Sequence, residues 1–129
     1  MSTRRNISSG SKWEPLVGYS RAVRIGNTVH VSGTVGVAAD GSIPADAYGQ
    51  ARRALEIIAQ ALREAGATVT DVVRTRMFLT DIAHFADVAR AHGEVFGEIR
   101  PATTAVAVAK LVDPAFLVEI EADATLGTP

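Results

Sequence analysis

Three carboxylates stand at every second position near the end of the chain: Glu119, Glu121 and Asp123, interleaved with Val118, Ile120 and Ala122. Successive side chains of an extended strand point to opposite faces, so the three acids share one face and Phe116, Val118, Ile120 and Ala122 share the other. A row of carboxylates does not sit unpaired in a dry core. That face therefore meets solvent, partner cations, a subunit boundary or a ligand cleft. Arg74 and Arg76 stand two apart in VVRTRMFL and share a strand face of their own. Their simplest partner is the acidic row, because opposite charges pair across sheets. The histidines offer less. His30 alternates with Val29 and Val31, while His84 and His92 lie too far apart along a helical run to share a metal. All three read as structural, and a chain without cysteine has neither thiol chemistry nor a Cys/His metal site.

The elements that hold these groups follow from periodicity. Ser20 to Ile25 and Thr28 to Ser32 read as two strands around Gly26-Asn27, a pair that tolerates the positive φ of a tight hairpin. Apolar residues at Ala51, Ala54, Leu55, Ile58, Leu62 and Ala65 recur at helical spacing, and Gly66 is a natural stop. The polar complement is Gln50, Arg52, Arg53, Glu56, Gln60, Arg63 and Glu64, which predicts an amphipathic helix from Asp46 to Ala65. Val72 to Leu79 reads as a strand. Thr80-Asp81 then caps a second helix carrying Ile82, Phe85, Val88, Ala89, Val95 and Phe96, which Pro101 closes. Thr103 to Ala109 and Phe116 to Ala124 are the last two strands, joined at Asp113-Pro114. The order β-β-α-β-α-β-β makes an α+β domain with both helices on one face of a mixed sheet. Nothing is left to cover the other face, so association through it is the economical solution.

The 129 residues are 47% hydrophobic and 21% charged, which suits one domain spanning residues 1–129, with 1–15 expected as a flexible N-terminal arm. Trp13 reads as an anchor for that loose terminus. A formal net charge of -1 implies no broad basic surface, and nucleic acid is not expected as a partner. MSTRRNISSGSKWEP lacks an apolar signal core and no stretch reaches the length of a membrane span, so a soluble, cytoplasmic protein with no membrane partner is expected.

The segments GYSRAVRIGN (18–27), VHVSG (29–33), the Asp71-Val72-Val73 entry to VVRTRMFLTDI, RPATT (100–104) and VEIEA (118–122) together resemble the Rid proteins. These are the YjgF-like reactive-intermediate deaminases, once called L-PSP endoribonucleases. The resemblance implies a chorismate-mutase-like fold and a homotrimer with a cleft at each subunit boundary. It also implies hydrolysis of an enamine or imine to ammonia and a keto product, with no metal or organic cofactor. Glu119 matches the family's water-positioning glutamate. Tyr19 and Ser32 match positions lining the cleft, and the backbone around Ala105 matches the segment that lies against the substrate.

One position departs from the pattern. Imine-hydrolysing members carry Pro-Ala-Arg-Ser where this chain has Pro101-Ala102-Thr103-Thr104, so Thr103 replaces the arginine that clamps the substrate carboxylate. A guanidinium fork grips a carboxylate with two charge-assisted bonds, each contributing about 1.5–3 kcal/mol, and a threonine hydroxyl offers one neutral donor. Three accounts follow: a substrate without that carboxylate, a replacement cation, or a cleft that binds a metabolite without turning it over. Arg76 is the candidate replacement and Arg100 a weaker one. An enamine or imine deaminase is thus the leading expectation, a non-catalytic small-molecule-binding trimer or interaction module its rival, and an endoribonuclease ranks last.

Overall fold

The computed structural model describes residues 3–127, and its first element is a strand where a flexible arm was expected. β1 (Arg4–Ile7) runs antiparallel to β2 (Ala22–Ile25), and Ile7 enters the core. Arg5 donates to the Glu64 carbonyl at 2.8 Å. Glu14, in the short helix α1 (Trp13–Val17), is buried and accepts from the Ser9 backbone N–H at 3.1 Å and from the Ser9 hydroxyl at 2.6 Å. These bonds hold its carboxyl below the usual range against the opposing effect of burial. Glu14, and not the half-exposed Trp13, is the tether. Residues 1–2 of the expected arm and residues 128–129 of the domain lie outside the described residues.

The hairpin forms as its turn chemistry requires. Gly26 takes φ 57 between β2 and β3 (Thr28–Thr34), a left-handed conformation that is strained for a side-chain-bearing residue. Asp46 then caps α2 (Ala47–Glu64), accepting from the Gly49 N–H at 2.9 Å. Arg24 joins Arg5 at the other end of this helix, donating to the Ala65 carbonyl at 2.7 Å, where a cation favours the negative end of the helix dipole. One turn of tighter helix, Val69–Asp71, leads into β4 (Val72–Leu79). A second, Ile82–His84, is capped by Asp81 and leads into α3 (Phe85–Phe96). β5 (Ala102–Ala107) and β6 (Val118–Thr125) complete the chain.

The six strands form one sheet in the order β1-β2-β3-β6-β4-β5, and β4 with β5 is its parallel pair, joined by the α3 crossover. The expected α+β architecture, mixed sheet and helix layer are therefore present, with a strand and a short helix added at the start. Val118, Ile120, Ala122 and Ala124 of β6 share one buried core with Leu55, Ile58 and Leu62 of α2 and Val88 and Phe96 of α3. Gln50 corrects the helical wheel. Assigned to the polar side, it is 1% exposed, and its amide donates to the carbonyls of Pro44 and Ala115 and accepts from the Leu117 N–H, each within 2.9 Å. That amide staples the start of α2 to the entry of β6 and so sets where Glu119 begins its strand.

Candidate functional site

Glu119 is carried by β6 on the sheet face opposite the helices, paired in register with Phe78 of β4. Beside it β3 holds one residue too many: Val31 pairs with Ala122 and Thr34 with Ile120, so Ser32 and Gly33 together span a single step of β6. The bulge brings the Gly33 backbone under the Glu119 carboxylate. A methyl group at position 33 would lie 3.0 Å from the Glu119 Cδ and nearer still to Oε2, so only glycine leaves the carboxylate where it is. Partial burial pushes the Glu119 carboxyl up from its ordinary value; the Arg21 charge opposes that shift and the Glu121 charge adds to it. A carboxyl held in this way gives up its proton less readily than a free one, which suits it to taking and returning a proton.

Arg21 is the cation of this neighbourhood, and sequence reasoning passed over it. Its Nη1 donates to the Gly33 carbonyl at 2.8 Å and to Thr34 Oγ1 at 3.0 Å, and its Nη2 to the Tyr19 hydroxyl at 3.3 Å. The guanidinium thus ties Tyr19 to the bulge on which Glu119 rests. No periodic signal marks Arg21, because its partners come from a turn and from an irregularity in the neighbouring strand. Ser32 lies beside it, its hydroxyl donating to the Ser20 carbonyl at 2.6 Å. Tyr19 and Ser32 thus both meet Arg21, which holds the bulge beneath Glu119.

Arg76 lies on the same sheet face as Glu119, opposite Glu121 in the β4–β6 pairing. Its Nη1 donates to Glu121 at 2.9 Å and lies 3.4 Å from Asp123, so the acidic row engages it, as the alternation suggested. His30 pairs with the same Asp123 at 2.8 Å. Arg100, at the end of α3, adopts φ 59 while its N–H bonds the Phe96 carbonyl, the geometry of a helix stop.

Thr103 and Ala105 lie on the other side of the sheet. Parallel pairing sets Thr103 beside Thr75 and Ala105 beside Met77, both of which face the helices, and the Thr103 and Thr75 hydroxyls bond at 2.8 Å. Ala105 packs its side chain against the core, and its strand is the outer edge of the sheet, with unpaired backbone groups along one side. One chain therefore does not join Thr103 to Glu119. A groove of about 900 Å³ lies between residues 8–13 and α2, and a smaller one of about 450 Å³ contains Tyr19 and Ser32; neither is lined by Glu119.

The family model described as Endoribonuclease L-PSP matches residues 10–126. The chain belongs to the YjgF-like Rid family. A Mycobacterium tuberculosis member of the YjgF/YER057c/UK114 family has a crystal structure that superposes with a TM-score of 0.90 at 50% identity, over 96% of this chain and 100% of that one. Escherichia coli TdcF, solved with bound serine, gives a TM-score of 0.81 at 31% identity over 95% of this chain and 94% of that one. The rat 2-iminobutanoate/2-iminopropanoate deaminase is 34% identical over 95% of this chain and 91% of its own length. Small-molecule binding is thus found within the Rid family. Among the described residues, no helix is long and apolar enough to cross a membrane.

Proposed function

We propose that this Rid protein hydrolyses an enamine or imine in clefts formed between copies of the chain, with Glu119 handling the proton. The single observation that carries this reading is the seating of Glu119: a retained carboxylate, packed on a side-chain-free bulge, its pKa raised by burial and its surroundings ordered by Arg21 and Tyr19. The rat relative's name supports the chemical class. Water adds to the imine carbon as Glu119 accepts one of its protons. That proton returns to the nitrogen to give a neutral carbinolamine, and the remaining hydroxyl proton passes through Glu119 to the same nitrogen as the C–N bond breaks, so a carbonyl and ammonia leave with atoms and charge balanced and no redox partner. An imine carbon is already electrophilic, and holding substrate and one water beside a single carboxylate suffices.

The placement of Thr103 and the Ala105 backbone on the far side of the sheet supports assembly of the cleft from two copies, as expected of a homotrimer. The replacement of the carboxylate clamp by Thr103 favours a second reading, a cleft that binds a metabolite without turnover. Ammonia release separates the two. Imines generated in situ by an amino-acid oxidase, and enamines lacking a carboxylate, should be turned over by the wild type and about 100-fold or more slowly by Glu119→Gln, with the oligomer unchanged. Absence of turnover across the whole panel would sink the deaminase and leave the binding reading.

A further inference from the structure

Resting on the placement of Thr103 in that cleft, we propose that Thr103 meets its ligand as a hydrogen-bond acceptor. It thereby selects a substrate bearing an uncharged donor, such as a carboxamide or hydroxyl, where the carboxylate of a 2-imino acid would sit. Thr75 and His92 are its positioning residues.

The inference rests on counting hydrogens along one chain of contacts. His92 Nε2 lies 2.8 Å from Thr75 Oγ1, Thr75 Oγ1 lies 2.8 Å from Thr103 Oγ1, and Thr103 Oγ1 lies 3.1 Å from the Pro101 carbonyl. Each hydroxyl has one hydrogen and two lone pairs. Thr75 is wholly buried, so its hydroxyl must be satisfied within this chain of contacts. His92 packs its ring on Phe96, with centroids 4.7 Å apart, and burial lowers its pKa, which keeps the imidazole neutral.

Two arrangements of hydrogens satisfy every contact around Thr75. In the first, His92 Nε2–H donates to Thr75, Thr75 donates to Thr103, and Thr103 donates to the Pro101 carbonyl. In the second, Thr103 donates to Thr75 and Thr75 donates to the bare Nε2 of His92. Both commit the only hydrogen of Thr103 to the protein and leave its free valence as a lone pair. Thr103 is exposed on the edge strand, where a ligand reaches that lone pair. A carboxylate oxygen placed there meets another oxygen lone pair, or else breaks a bond that Thr103 already makes. Discrimination on the order of three- to tenfold against the carboxylate follows from the loss of one neutral hydrogen bond.

The probes are pyruvate and pyruvamide, two ketones of one skeleton that differ in carboxylate against carboxamide, titrated by calorimetry or ligand-observed NMR. Wild type should bind pyruvamide about three- to tenfold more tightly. That ratio should fall to roughly one in Thr103→Val, which keeps the shape and removes the hydroxyl, and should invert in Thr103→Arg, which restores a charged fork. Pyruvate bound as tightly as pyruvamide by wild type, a ratio untouched in Thr103→Val, or failure of both ketones to bind would each overturn the proposal. Failure of the deaminase reading looks different: Glu119→Gln and wild type would then release equally little ammonia while the binding ratios stayed as expected.

Discussion

Glu119 ionises against its surroundings, and the sign of that effect is measurable. Burial raises its pKa above the ordinary 4.5, so the native chain keeps a proton that the unfolded chain releases. Protein stability therefore loses ground at this residue as pH climbs through and above 4.5, and Glu119→Gln removes the loss. In thermal melts from about pH 4 to about pH 8, the stability of Glu119→Gln relative to wild type should rise with pH, and a flat difference would show that the carboxyl is not perturbed. Alternation placed this acid on its face from sequence, and VEIEA singled it out. Arg21 escaped notice because what gives it a role is the bulge at Gly33, a shift in pairing that no spacing within β2 records. Thr103 was visible as a departure, but the hydrogens it has to offer are set by Thr75 and His92, far from it in sequence.

Gln50 shows how an element can mislead when side-chain type is weighed over position. It stands three residues after Ala47 and four before Ala54, on the apolar stripe of α2, and its polarity put it on the wrong side. Burial is tolerable because its amide is fully used by Pro44, Ala115 and Leu117. Gln50→Leu keeps the bulk and orphans those backbone groups. A loss of about 2–4 kcal/mol is expected, read as a Tm drop on the order of 10 °C; a shift under about 2 °C would mean that the staple carries little. The first strand misled for the opposite reason. RRNI has one apolar side chain and no visible period, and it becomes a strand through its pairing with β2, the Arg5 bond to α2 and the buried Glu14.

The sheet as a whole presents one face to the helices and leaves Glu119, Glu121, Asp123, Arg76 and His30 on the other. A cleft shared between copies predicts a sedimenting species about three times the 13.5 kDa of one chain at micromolar concentration. A monomer there would remove the interfacial cleft and the proposed function with it. The element order from the hairpin onward, the helix layer and the acidic row were determined by the sequence alone, because periodicity, caps and turn residues act over a few neighbouring positions. Strand order is different in kind. That β6 lies between β3 and β4, that Glu119 rests on Gly33, and that Thr103 faces away from Glu119 are consequences of register between distant segments. Only tertiary packing decides that register, since each strand's own pattern fits more than one partner.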